Sequence, residues 1–555
     1  MFSLTSRFSA WRRGDSLAAI AFLSAVLSIA PAAAAQQDTS ATQAKRSSHS
    51  TAQGKPRADV ARFRARAESA LAEAHAQRAY WGVLVADRDT GETLFELNAD
   101  HFFAPGSNVK VFTTALGLGT LGPEYRFHTL LGSKSELSID GRLAGDLILY
   151  GEGDPDLSNR KFPYAGKIER EGPVEKFLAE IADAAVAKGL KEVDGDIVAD
   201  DSLFPYDPYP AGWSVGDLFF AFGAQVSALA FNENSISIEV RPGLQAGDPA
   251  AIAVQPAAAA ETFGHEFTTI AAGEKPEFSV VRRPGLNFIL LRGSIPLGSV
   301  PVKLDLAMTE PAETTARALK QLLEARGVRV TGGIRAQHAP PPLRSVDVPV
   351  VLSGGQSAPP ANLLALADHL SPTLLESVRL TNKISQNLHA ELLLRTVGHE
   401  KTGVGTTDAG LWVEQDFLKS AGIADGDAVL VDGSGLSHNN LVTPRAMVQL
   451  LVYASRQSWG EDFRSTLPIA GVDGTLENRM KGTAAAGQIQ AKTGTLEHEH
   501  SIAGYATTLR GEHLVFAIFG NNNPQKGHEA TPTLDEISVA MVETLGAPPP
   551  KKKKK

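Results

Sequence analysis

Three short stretches of this 555-residue chain place hydroxyls beside amines or amides at spacings that chemistry can use. Ser107-Asn108-Val109-Lys110 opens a helix directly after Pro105-Gly106. Residues three apart share a helix face, so the Ser107 hydroxyl and the Lys110 amine come within hydrogen-bond reach. A serine is a poor nucleophile until a base takes its proton, and a lysine that is buried or held near another cation loses enough basicity to be that base. The helix N-terminus also favours negative charge developing nearby. The second stretch, Ser385-Gln386-Asn387, opens a helix over Leu388 to Val397. The third, Lys492-Thr493-Gly494-Thr495, ends the strand-like run GQIQA, and Gly494 would let a ligand backbone approach the strand edge without a Cβ clash.

Each pattern is weak alone. Ser107 also reads as a helix N-cap. Each has a second copy too, in Ser158 to Lys161 (SNRK), Ser437-His438-Asn439 and Lys401-Thr402-Gly403. Context separates them. Lys401 follows a helix and leads into Val404-Gly405, whereas Lys492 ends one strand-like run and precedes two more.

The elements that must position these groups are legible in outline. Apolar spacing (Val60, Phe63, Ala67, Ala70, Leu71) predicts a helix over Asp59 to Ala79. Tyr80 to Leu97 reads as a hairpin turning at Arg88 to Glu92, and a helix follows from Ser107 to about Leu118. Near the other end Gly487 to Thr495, Ser501 to Leu509 and His513 to Gly520 are rich in β-formers, with Gly511-Glu512 as a turn. They predict an antiparallel sheet whose opening hairpin lies hundreds of residues earlier. Phe177 to Asp200 echoes Ala316 to Gln337: each is a helix, a glycine turn and a strand. Residues 135–355 therefore read as an insertion, with the β-rich stretch Ile236 to Leu306 an excursion inside it.

Length and composition limit the classes. A single hydrophobic core does not extend over 555 residues, so two or three domains are expected. With 43% apolar and 21% charged residues the chain is neither disordered throughout nor a polytopic membrane protein. The formal charge is -9, and removing residues 1–35, which hold three arginines and one aspartate, leaves about -11. Such a body repels phosphate, which argues against a nucleic-acid partner. The absence of cysteine excludes disulfides, thiolate metal sites and a cysteine nucleophile.

The ends read as targeting and tether. Residues 1–35 have a basic start, the apolar run Leu17 to Ala30 and small residues at Ala33 and Ala35, as in a secretory signal peptide. The run is short for a membrane span, though an uncleaved anchor is the alternative reading. Gly14 after Arg12-Arg13 favours ordinary export over a twin-arginine route. Residues 36–58 have little to bury and read as a disordered linker. The tail, 548–555, is three prolines and five lysines: either a solvated terminus or a handle for an anionic envelope polymer. Glu497-His498-Glu499-His500 reads as a polar loop, with no second histidine cluster to complete a zinc site, so neither metal nor other cofactor is expected.

In the order SxxK, SxN, KTG the three motifs form a joint signal, and here the sequence resembles the class C, penicillin-binding protein 4-like D-alanyl-D-alanine carboxypeptidase/endopeptidases, peptidase family S13. FAPGSNVKVFTTALGLGTLGPEYRF, GEGDPDL, VDGSGLSHNNLVTP and LPIAGVDGTLENR fit it, as does the gap of 274 residues between Lys110 and Ser385. The resemblance implies an α+β fold, a serine β-lactamase/DD-peptidase-like sandwich around an antiparallel sheet. Residues 59–134 and 356–547 would form the catalytic part and 135–355 the insertion. It implies that Ser107 attacks a D-Ala-D-Ala peptide bond, Lys110 is the base, Ser385 with Lys492 passes a proton to the leaving amine, and Asn387 orients the peptide and Lys110. The N–H groups of Ser107 and Thr495 would hold the oxyanion, while Lys492, Thr493, Gly494 and Thr495 line the substrate carboxylate's site. Asp154 would read the side chain of the peptide, or else is a Gly-Asp-Pro turn residue. His438 and Glu497 stand where the family has an arginine and a glutamine, which changes the charge of that pocket. The implied partners are peptidoglycan peptides and β-lactams, in the periplasm, with no span left after signal cleavage. Oligomeric state stays open. A serine β-lactamase and a non-catalytic peptidoglycan-binding protein are the rival readings.

Overall fold

The computed structural model describes residues 57–167, 169–282, 287–341, 362–523 and 530–546. The expected signal peptide, nearly all of the linker, the boundary at 355 and the basic tail lie outside them.

A five-stranded antiparallel sheet joins the two ends of the chain. Its order is Ile489–Thr495, His500–Thr507, His513–Asn521, Tyr80–Asp87, Thr93–Leu97. Tyr80 pairs with Asn521 and Asp87 with Leu514, so the early hairpin closes directly onto the last strand. Alternate residues of a strand face opposite sides. In His513–Asn521, Leu514, Phe516 and Ile518 face a core made with Phe63 of helix Ala58–Leu71 and Ile537 and Met541 of helix Thr531–Thr544. Val515, Ala517 and Phe519 face a second core made with Phe112 of helix Val109–Leu121 and Leu450 of helix Pro444–Ser455. Helices on both faces explain why these strands read as continuous apolar runs. Each fully buried large side chain contributes about 1.5–3 kcal/mol.

The first helix ends at Leu71, short of the expected Ala79. The stretch beyond turns so that the Ala76 carbonyl accepts the indole N–H of Trp81 at 2.9 Å.

A second five-stranded sheet runs Ile334–Ala339, Ile197–Pro205, Leu147–Gly151, His128–Ser133, Leu364–Leu370. The echo noticed in the sequence is real in three dimensions. Helices Lys176–Ala187 and Pro311–Ala325 each lead back to a strand, and those strands, Ile197–Pro205 and Ile334–Ala339, pair in parallel. This sheet overruns the expected limits of the insertion: His128–Ser133 and Leu364–Leu370, assigned above to the catalytic part, pair with each other and extend it. Neither run, HTLLGS or LALADHL, carries a clean apolar/polar alternation or a turn signal that ties it to a partner strand. The excursion forms two three-stranded sheets, one around Ile289–Pro296 and one around Ser235–Arg241.

Candidate active site

The nucleophile turn is tighter than a regular helix start. Gly106–Asn108 is a 3-10 turn that runs into helix Val109–Leu121, and the Ser107 side chain makes no capping bond there. Two glycines let the turn press against the sheet. A Cβ on Gly494 would lie 2.2 Å from the Pro105 carbonyl oxygen and 3.2 Å from the Ser107 nitrogen; one on Gly106, which has φ +54°, would lie 3.0 Å from the Thr495 nitrogen. Gly494 thus lets the strand edge pack on the nucleophile turn. The neighbouring strand fastens the turn: Asn108 Nδ2 donates to Ser501 Oγ at 2.7 Å, and Ser501 donates to the Pro105 carbonyl at 2.6 Å.

Lys110 is fully buried one turn below Ser107. Its Nζ lies 2.9 Å from Ser107 Oγ, 2.6 Å from Asn387 Oδ1 and 2.5 Å from the Ser434 carbonyl. Burial pulls the amine down to about 7, against the opposing pull of Asp432 and Glu391. A large fraction is then the free base at neutral pH, within hydrogen-bond distance of the Ser107 hydroxyl.

Ser385 sits between two helices, Leu374–Ile384 and Asn387–Thr402, in the left-handed region at φ 63°. For a residue with a Cβ this costs about 1–2 kcal/mol. The kink aims Ser385 Oγ at Lys492 Nζ, 2.9 Å away. Lys492 also donates to the Thr493 carbonyl at 2.7 Å, is fully buried, and is held well below the ordinary lysine range by burial and by the Lys110 charge. Asn387 donates from Nδ2 to the Phe222 carbonyl at 2.8 Å. Gln386, between the two named residues, reaches Glu233 of the inserted region at 2.7 Å, and Glu233 in turn pairs with Arg160.

These groups border a cleft of about 410 Å³ lined by Ser107, Ser385, Asn387 and Thr495. Thr493 is buried, its hydroxyl 2.8 Å from that of Thr475. His438, Glu497 and Asp217 also line the cleft; burial pushes the Asp217 carboxyl up, His438 pulls it down and Glu497 adds to the rise. Asp154 is the exception. It is 2% exposed, accepts the Asp156 N–H at 2.8 Å and does not line the cleft. One carboxylate oxygen is folded back on its own loop, the other lies 3.8 Å from His369 Nε2, and burial pushes the carboxyl up to about 7.

Two further parts of the site have no role assigned from the sequence. The loop Asp432–Ser437 supplies the carbonyl on Lys110, and Gly435, with φ +80°, brings it so close that a Cβ would lie 2.0 Å from the Gly106 carbonyl oxygen. The phrase VDGSGLS, with two glycines around a serine, was the available signal. Ser214, Asp217 and Phe222 of the inserted region also wall the cleft. They lie in short irregular turns with no periodicity to read.

Fold and site define an active-serine acyl-transfer enzyme in which two buried lysines each contact one of two serines, the DD-peptidase arrangement. The comparisons agree. Residues 63–543 match the D-Ala-D-Ala carboxypeptidase 3 (S13) family, and the chain belongs to this family of serine peptidases. It is 34% identical over 476 residues to a D-alanyl-D-alanine carboxypeptidase of Actinomadura sp. (strain R39), covering 84% of this chain and 81% of the relative. It is 27% identical over 445 residues to D-alanyl-D-alanine carboxypeptidase DacB of Haemophilus influenzae, covering 79% and 85%. The crystal structure of penicillin binding protein 4 from Haemophilus influenzae superposes with a TM-score of 0.69 at 25% identity, covering 83% of this chain and 96% of that one. The family and the DD-peptidase fold expected from the motifs are borne out. Among the described residues no helix is long and apolar enough to cross a membrane.

Proposed function

We propose that the enzyme removes the terminal D-alanine from peptidoglycan peptides through an acyl-enzyme on Ser107. The observation that carries this reading is the contact of a fully buried lysine amine with the Ser107 hydroxyl at 2.9 Å. Lys110 takes the Ser107 proton as Oγ bonds to the carbonyl carbon of the penultimate D-alanine. The oxyanion meets the N–H groups of Ser107 and Thr495, each such donor being worth about 3–4 kcal/mol in the transition state. The C–N bond then breaks, and the leaving amine receives a proton through Ser385, whose hydroxyl Lys492 holds. Asn387 orients Lys110 and the incoming peptide; Thr493 and Thr495, with Lys492 behind them, attract the terminal carboxylate. Water repeats the sequence on the ester and frees Ser107.

A cross-linked peptide offers the same D-alanyl donor, so endopeptidase action follows from the same parts, and a β-lactam acylates Ser107 as a substrate mimic. These substrates belong to the periplasm, to which the signal-like leader would deliver the chain. The test is release of D-alanine from a purified muropeptide, together with labelling by a fluorescent penicillin, for the wild type and Ser107→Ala. Both activities are expected to vanish in the variant. Labelling that survives refutes the assignment of Ser107, and turnover of penicillin within seconds instead of a lasting adduct favours a β-lactamase.

A further inference from the structure

Behind Lys110 lies a layer of buried acids to which the steps above give no role. Glu391 follows Asn387 by four residues on helix Asn387–Thr402, which sets it on the same face one turn deeper, fully buried. Its Oε1 accepts the N–H of Ser434 at 2.8 Å and that of Gly433 at 3.1 Å, with Oε2 also 3.1 Å from Gly433. The carbonyl of the same Ser434 accepts from Lys110 Nζ. One residue thus faces Glu391 with its N–H and the catalytic amine with its carbonyl.

The rest of the loop is locked around that residue. Thr113 donates to the Gly433 carbonyl at 2.7 Å. Asp432 accepts from the N–H groups of Gly435 and Ser437, both at 2.8 Å, from Asn440 Nδ2 at 2.9 Å and from Trp213 Nε1 at 3.0 Å. A Cβ on Gly433 would lie 2.8 Å from the Ala390 carbonyl oxygen, so the loop reaches the Glu391 carboxylate only because a glycine is there.

We infer that Glu391 is a positioning residue for acyl transfer: it aims the Ser434 carbonyl at Lys110, and its charge helps to set the pH at which Lys110 releases its proton. This rests on the reading of Lys110 as the base for Ser107. The charged groups that act on Lys110 are Asp432 and Glu391, which favour the ammonium, and the Lys110 charge in turn lowers its neighbour Lys492. Glu391 also faces Arg395 on its own helix, and Glu414 of helix Thr407–Ser420 lies close to both Asp432 and Glu391. Burial and Asp432 push Glu391 up to about 7, the range in which Lys110 titrates, so the two protons are linked. A carboxylate that merely tied the loop to the helix would leave the pH response alone.

The experiment measures the rate of Ser107 acylation by a fluorescent penicillin from about pH 5 to about pH 9, with the intact wild-type chain, Glu391→Gln and Glu391→Asp. In the wild type the rate is expected to fall on the acid side of about pH 7. In Glu391→Gln the ammonium loses the charge that the carboxylate carries near pH 7, and that acid limb should move lower by up to about one unit. In Glu391→Asp the charge remains but is withdrawn from the Ser434 N–H, so the limb should stay and the plateau rate fall about tenfold or more. A Glu391→Gln limb that does not move overturns the inference, as does a Glu391→Asp plateau equal to the wild type. If melting curves show that Glu391→Gln does not fold, the Glu391→Asp plateau decides. Wild-type protein that is never acylated at Ser107 sinks the parent reading and this one with it, an outcome distinct from an unshifted variant.

Discussion

Replacing Lys110 by methionine should strip the folded protein of a stability gain that wild type acquires as pH rises. The amine has an ordinary value of 10.5 in the unfolded chain and about 7 in the fold. Between those values the unfolded chain binds a proton that the folded chain does not, so wild-type stability climbs with pH by about 1.4 kcal/mol per unit. Below about 7 both states hold the proton, and above about 10.5 neither does, so the curve is flat outside the window. From about pH 7 to about pH 9.5 the wild type should therefore gain about 3 kcal/mol over Lys110→Met. No discount for solvent is needed, because the amine is fully buried. Lys492 titrates in both proteins and cancels, apart from a repulsion present only while Lys110 is charged. The offset at fixed pH is a separate quantity: the variant leaves Asn387 Oδ1 and the Ser434 carbonyl without a donor, at about 1–3 kcal/mol each. Urea unfolding followed by tryptophan fluorescence at several pH values measures the difference. A gap between the two proteins that stays constant across the window would refute the claim that burial neutralises this amine.

Other expectations concern the scaffold. Gly435→Ala would place a Cβ 2.0 Å from the Gly106 carbonyl oxygen at φ +80°, so penicillin labelling should drop more than tenfold and stability by about 2 kcal/mol or more, both measurable on the purified variant. Lys383→Met would leave Asp473, its buried partner at 2.6 Å, without a counter-ion; urea unfolding should show a loss of about 3–5 kcal/mol, partly regained on adding Asp473→Asn. Asp154→Asn should stabilise the protein most at high pH: the carboxyl's folded value of about 7 exceeds its unfolded 3.8, so its charge costs free energy above 3.8 and the cost levels off above about 7. Equal melting temperatures for Asp154→Asn and wild type at about pH 8 would contradict that.

What could be read from the sequence follows from how local the signal was. The catalytic sheet was legible because each strand is an apolar run bounded by turns, with Gly511-Glu512 and Arg88 to Glu92 marking the hairpins. The serine and lysine of SxxK were legible because an i, i+3 pair meets wherever a helix forms. The meeting of Ser385 with Lys492 was not a local matter: it depends on a left-handed backbone at a serine, which no propensity foretells. Gly494 shows the limit of reading one residue in isolation, since its reason is the Pro105 carbonyl, hundreds of residues earlier. Asp154 was drawn into the site by its phrase, GEGDPDL, which says nothing of the burial it has in the fold. Phe222 and Asp217 had no periodic setting, so only the folded chain shows that the inserted region forms part of the cleft.

The pairing of Tyr80–Asp87 with His513–Asn521 also governs when catalysis can begin. A ribosome delivers Ser107 well before the strand carrying Lys492, and until His513–Asn521 follows, the opening hairpin lacks the neighbour that completes its hydrogen bonds. A product that stops short of these strands consequently carries a nucleophile with no wall behind it, and hydrolytic power arrives only once residues 489–521 have joined the sheet.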